Sequence, residues 1–188
     1  MALTATLFQF NVQLNDSDRE VYESFELRVA CHPSETPAFM LTRVLAYCLE
    51  YREGICFTGG VSSGELCAVQ VVDMTGRVTH WIEVGAPSAE RLHRGSKLAG
   101  RAVVYTHQSP AKVLGALRGQ PIHAAADIEV VSFGSGFVDA LITMLGRRNE
   151  LSVAVSGGQL YLEFNGQVAD TAILREPIEI TALRDRPG

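Results

Sequence analysis

Hydrophobic and polar residues alternate strictly from Phe8 to Asn15, with Phe8, Phe10, Val12 and Leu14 on one side and Gln9, Asn11, Gln13 and Asn15 on the other. Period-two alternation predicts a strand with one buried and one wet face. Asn15-Asp16-Ser17-Asp18 turns the chain, and Phe25, Leu27 and Val29 then alternate with Ser24, Glu26 and Arg28 in a second strand. The two strands are expected to pair antiparallel. Beyond them the period changes. His32-Pro33-Ser34-Glu35-Thr36-Pro37 opens a helix, with Ser34 or Thr36 able to cap it and Pro37 acceptable in its first turn. Leu41, Val44, Leu45, Cys48 and Leu49 form its buried stripe, and Gly54 is expected just past its end.

The stretch from Val61 to Thr106 organises the rest. Val69 to Val72 is a β-branched run, Met74 to Arg77 supplies a turn, and Val78 to Val84 alternates again, which predicts a β-hairpin. Gly85-Ala86-Pro87-Ser88 ends it and starts a helix, with Ser88 as N-cap and Glu90 in the first turn, where a carboxylate suits the helix dipole. Leu92, Gly95, Ser96 and Ala99 share the inward face of this helix. Arg94, Lys97 and Arg101 are expected to point outward, with Arg91 on the flank nearer the end of the hairpin. Ala102 to Tyr105 is continuously apolar, as in a strand covered on both faces, and completes a βαβ unit.

Downstream, Ser109 to Leu117 reads as a short helix, Asp127 to Phe133 as a buried strand, and Phe137, Leu141, Ile142 and Leu145 as another helical stripe. Leu151 to Val155, Gly157-Gly158 and Leu160 to Phe164 read as a second hairpin, and Arg184 to Gly188 as a frayed tail. The expected fold is α+β: a mixed sheet with a hairpin and βαβ core flanked by helices, plus additional antiparallel strands. With no repeat and no long linker, residues 1–188 are expected to form a single domain.

Composition narrows the setting. Apolar residues at 47% and charged residues at 20% predict an ordered soluble globule. A net charge of −5 argues against non-specific coating of duplex nucleic acid but leaves room for a local basic site. No apolar run approaches a membrane span, and the N-terminus lacks a basic region followed by an apolar one, so a cytoplasmic protein with no membrane partner is expected. Cys31, Cys48, Cys56 and Cys67 lack the close spacing of a zinc site and are expected to be reduced thiols, mostly buried.

Carboxylates converging from a helix start, a strand start and a neighbouring strand could hold a hard cation such as magnesium, and Glu35, Glu65 and Glu83 are candidates of that kind. Glu83 shares a strand face with Trp81 near the end of a strand that feeds a crossover, a common place for ligands. A two-residue turn at Thr75-Gly76 would set Ala68 opposite Glu83 and put Glu65 on the other face. A three-residue loop or one bulge would shift the register and bring both acids to one face.

His32-Pro33-Ser34-Glu35-Thr36, Glu65 before the hairpin, Trp81-Ile82-Glu83-Val84-Gly85-Ala86-Pro87 and Glu90-Arg91-Leu92-His93-Arg94, leading to Val103-Val104-Tyr105-Thr106, resemble the bacterial YaeQ family. That family is similar in fold to the PD-(D/E)XK nuclease-like superfamily, so the resemblance implies a restriction-endonuclease-like fold. It also implies magnesium on Glu35, Glu65 and Glu83, with a lysine near the last acid assisting phosphodiester hydrolysis. Here the lysine position, two residues after the strand acid, is Gly85. A cation from the next helix, Arg91 or Lys97, could instead grip the substrate, although an arginine stays charged and is a poor general base. Two readings follow: a non-catalytic member that binds nucleic acid or a protein partner, and a magnesium-dependent phosphodiesterase with Glu65, Glu83, Arg91 and Lys97 in catalytic roles. The missing lysine and acidic charge favour the first; the retained acids favour the second. Trp81 is expected to pack in the core rather than stack on a base, since no aromatic series accompanies it.

Overall fold

The structure is a computed structural model that describes residues 5–59 and 66–179. In chain order its first half comprises β1 (Thr6–Asp16), β2 (Val21–Cys31), α1 (Pro37–Leu49), β3 (Ile55–Phe57), β4 (Val69–Val72), β5 (Val78–Val84) and α2 (Ala89–Leu98). There follow β6 (Arg101–Thr106), α3 (Pro110–Leu117), a 3-10 turn (Ala125–Asp127), β7 (Glu129–Ser132) and α4 (Phe137–Met144). The last strands are β8 (Arg148–Ser156), β9 (Gln159–Phe164), β10 (Gln167–Ala172) and β11 (Leu174–Pro177).

These strands form two mixed sheets, ordered β10-β9-β8-β1-β2 and β11-β7-β6-β5-β4-β3. β1 and β2 pair antiparallel along their whole length, from Thr6 opposite Cys31 to Asp16 opposite Val21. Phe10, Val12 and Leu14 are buried while the residues between them face water, as their alternation requires. β8 adds to the other edge of β1 in parallel, Gln9 opposite Arg148 through Asp16 opposite Val155. At the far end, the Asp18 carboxylate accepts from the Gly157 and Gly158 amides at 2.7 and 2.9 Å, tying the first turn to the β8–β9 turn.

Helix α1 is buried on nearly every side, Thr42, Arg43 and Ala46 included, because it lies in the core between the two sheets. Its side chains share that core with Phe10 and Val153 of one sheet, Ile82, Val103 and Val131 of the other, and Leu141 of α4. The opposite face of the six-stranded sheet presents Trp81, Val104 and Val130 to Leu92 of α2 and to Val113 and Leu117 of α3. β5, β6 and β7 run parallel, so their carboxyl ends lie along one edge, while β4 and β11 flank them antiparallel. Among the described residues no helix is long and apolar enough to cross a membrane.

Two local expectations, at Gly54 and Arg101, are corrected, and the alternatives left open for the first hairpin are decided. The first hairpin does not use a two-residue turn. Asp73 and Arg77 close a three-residue loop, the Asp73 amide donating to the Arg77 carbonyl at 2.9 Å and Gly76 taking φ +84°. That loop would shift the register by one, but a bulge follows, with Val72 opposite Val78 and Val71 opposite His80, leaving Thr79 unpaired. Loop and bulge cancel, and Val69 again faces Ile82, as the two-residue turn would have placed it. Gly54 does not end α1, whose cap is Glu50; a Cβ there would fall 2.0 Å from the Val72 carbonyl oxygen, so glycine is needed for close approach of two backbones. Arg101 does not point outward: it opens β6 and turns to Glu50 at 3.3 Å and Glu129 at 3.5 Å, beside the buried Tyr105 hydroxyl, which donates to Glu50 at 2.9 Å.

Candidate functional site

The end of β5 carries Glu83, 3% exposed. Strand alternation puts it on the same face as Trp81, and the indole Nε1 donates to Glu83 Oε1 at 2.8 Å. Helix α2 begins at the Ser88 cap, whose hydroxyl accepts from the Arg91 amide at 3.3 Å. This sets Arg91 one turn into the helix, directly over the strand end. Its Nε donates to Glu83 Oε1 at 3.2 Å and its Nη2 to Glu83 Oε2 at 3.1 Å, a forked pairing of the kind that arginine forms best. Nη2 also donates to the Leu66 carbonyl at 2.7 Å, tying the strand entry to α2. The triad depends on Gly95: a Cβ there would come within 2.4 Å of Trp81 Cδ1, so the missing side chain lets the indole lie flat under α2.

Glu35 stands elsewhere. It precedes the Thr36 cap of α1 and folds back on that helix, accepting from the His32 amide at 2.8 Å, with its Oε1 3.3 Å from Arg43 Nη1. The side chains of this pair are 2% and 4% exposed. Arg43 also donates to the Ala30 carbonyl at 2.7 Å and lies 5.4 Å from the Phe57 ring centroid. Burial lowers the Arg43 pKa, opposed by the Glu35 charge, and raises that of the nearby Cys31 thiol, with Glu35 adding to the rise. Arg43 was not singled out from the sequence, although a charged residue between Leu41 and Val44 in an apolar stripe was the available signal.

Glu35 and Glu83 open into different cavities that share no lining residue among the described residues. One, of about 300 Å³, is lined by Arg28, His32, Glu35, Arg43 and Thr58 among others. The other, of about 240 Å³, is lined by Phe39, Leu66, Glu83, Gly85, Arg91 and Gln108 among others. They flank the start of α1, from which Phe39 reaches the Glu83 cavity. Glu65 lies outside the described residues. Lys97 is exposed in the last turn of α2 and joins neither cavity. Among the described residues no group of three His, Cys, Asp or Glu side chains could hold a metal ion. With both Glu83 oxygens engaged and Glu35 in another cavity, the described residues do not fit a magnesium site. All four cysteines are free thiols; burial pushes those of Cys48 and Cys67 up to about 12, which makes them inert packing residues.

A third cavity, of about 290 Å³, is lined by Leu7, Phe8, Gln9, Arg28, Arg147 and Arg148. The Arg147 guanidinium lies 5.5 Å from the Phe8 ring centroid, and Arg28 lines both this cavity and that of Glu35. Arg147 and Arg148 line it beside Arg28, which pairs with Glu26 at 2.9 Å, in a chain whose net charge is −5.

The model of the YaeQ protein family matches residues 1–173. The chain belongs to the YaeQ family. Uncharacterized protein YaeQ of Escherichia coli K12 is 34% identical over 116 residues, 59% of this chain, and the matched stretch spans only 61% of that relative's length. The YaeQ protein of Salmonella typhi is 27% identical over 163 residues, 86% of this chain and 90% of its own. The crystal structure of YaeQ protein from Pseudomonas syringae superposes with a TM-score of 0.81 at 28% identity, covering 91% of this chain and 95% of that one. YaeQ protein from Xanthomonas axonopodis pv. citri gives 0.80 at 23% identity over 94% and 100%, a likeness of fold. The two-sheet α+β architecture is thus one this chain shares with solved YaeQ structures.

Proposed function

We propose that this YaeQ protein binds nucleic acid and does not cleave it. One observation carries the reading: the Glu83 carboxylate, the acid that metal-dependent hydrolysis would need, is buried with both oxygens paired to Arg91 and one also to Trp81. Arg91 neutralises the acid it accompanies, so neither is free to take a cation or a scissile phosphate. Gly85, where the implied superfamily pattern has its lysine, supplies no proton-transfer group. Nucleic acid, rather than a protein partner, is supported by the nuclease-like relationship that the YaeQ resemblance implies and by Arg28, Arg147 and Arg148 around Phe8. A guanidinium cluster beside an aromatic ring suits a phosphate backbone and its bases.

Magnesium-dependent hydrolysis is the second reading. It is favoured by Glu35 Oε1, which makes no hydrogen bond among the described residues and has only the Arg43 charge, 3.3 Å away, beside it. It requires Glu65 to join Glu35 and Glu83, and Arg91 to leave Glu83.

Fluorescence anisotropy of a labelled single-stranded oligonucleotide against salt tests binding. Replacing Arg147 and Arg148 with serine is expected to flatten the log K against log salt slope by up to about 1.4, at about 0.7 per phosphate contact. Binding with an unchanged slope would remove the arginine cluster from the interface, and no binding at low salt would leave a protein partner as the better reading.

A further inference from the structure

A separate cavity, of about 520 Å³, opens at the carboxyl ends of β6 and β7. Its size lies in the range of cavities that take small organic ligands, and the carboxyl edge of parallel strands is where such ligands commonly bind. Phe133, Val138, Pro110 and Leu174 give it apolar walls. Thr106, His107, Gln108, Ser109, Ser135 and Asp139 bring polar groups to it. Much of that polarity is uncommitted. His107 Nδ1 is enclosed yet has no hydrogen-bond partner among the described residues, and the Ser109 hydroxyl, at the start of α3, makes no cap bond. Burial holds the His107 ring below the ordinary imidazole range despite the nearby Asp139 carboxylate, so at neutral pH the ring is uncharged.

This cavity is not isolated. Gln108 lines it and also lines the Glu83 cavity, and the Phe39 ring of the latter meets the His107 ring edge-on at 6.3 Å. The two cavities are adjoining compartments along one sheet edge.

We propose that the His107–Asp139 cavity is a nucleobase subsite that takes one unstacked base of a single strand. The proposal rests on the nucleic-acid reading and adds the strandedness of the ligand, because a base stacked and paired in a duplex cannot insert between the walls of a cleft. Apolar walls cover the faces of the ring, while Gln108, His107 and Asp139 meet its edge. An ionised carboxylate only accepts hydrogen bonds, so Asp139 selects a base edge that presents adjacent N–H donors, which is guanine. Uracil, with one N–H between two carbonyls, is disfavoured.

The test is an amide-resonance titration of the intact chain with uncharged nucleosides and, separately, with inorganic phosphate. Guanosine is expected to shift the amides of His107, Gln108, Ser135 and Asp139, and uridine to bind more weakly. Asp139→Ala should weaken guanosine about tenfold or more. Ser135→Trp, at an exposed lining position, should abolish the shifts with an unchanged melting temperature. Phosphate shifting these resonances while no nucleoside does, or guanosine binding that both variants leave intact, overturns the subsite. An oligonucleotide bound by the arginine cluster with a silent cavity rejects this inference alone. Guanosine held in the cavity with no oligonucleotide bound rejects the nucleic-acid reading instead and keeps the subsite.

Discussion

Arg43→Ala is expected to cost about 3–5 kcal/mol of folding stability, because it leaves the Glu35 carboxylate buried and unpaired. The Glu35 side chain is 2% exposed, with Arg43 beside it as its counter-charge, and the same guanidinium satisfies the Ala30 carbonyl at the end of β2. Urea denaturation measures the loss. Glu35→Gln together with Arg43→Met removes both charges and should recover much of it, since a neutral pair no longer carries an uncompensated charge. A loss below about 1 kcal/mol for Arg43→Ala, the scale of an exposed pair, would mean that Glu35 is hydrated in solution.

Trp81 divides into two measurable parts. Trp81→Ala should cost about 3–5 kcal/mol, since the indole is 2% exposed and fills the space under Gly95 that no side chain from α2 occupies. Trp81→Phe retains most of the packing but removes the N–H that Glu83 Oε1 accepts, and should cost about 1–3 kcal/mol. If the two variants lost the same stability, the hydrogen bond rather than the ring would be the larger contribution. Equal stability of Trp81→Phe and the parent would mean that Arg91 alone satisfies Glu83.

The regular elements were legible because their signals are local. Period-two alternation fixed β1 and β2, and Leu92, Gly95, Ser96 and Ala99 all fell on the buried side of α2, as their spacing required. What escaped the sequence depends on distant parts of the chain. The parallel pairing of β8 with β1 joins residues about 140 positions apart and leaves no turn signature, and the short strands β3, β10 and β11 carry too few apolar residues for a period to show. Arg101 looked like a solvated helix residue because nothing near it announces Glu50 and Glu129, which only the folded sheet brings up. The hairpin register, left open by the residues, is set by a three-residue loop undone by a bulge at Thr79.

At the candidate site, the partnership of Glu83 and Trp81 follows from strand alternation, and the proximity of Arg91 from helical phase. That Arg91 would cover both oxygens of Glu83, rather than reach a substrate, is a matter of tertiary distance. Glu35 met the same fate through Arg43. Each acid proposed as a ligand among the described residues has its own arginine, and the two pairs lie in separate cavities.

The central claim is that Arg91 holds Glu83 closed, so that the acids do not act together on a metal. Magnesium and manganese titration calorimetry at low ionic strength, on the parent and on Glu83→Gln, tests it most directly. The account predicts no binding isotherm that distinguishes the two proteins; stoichiometric binding by the parent that disappears in a correctly folded Glu83→Gln variant would contradict it.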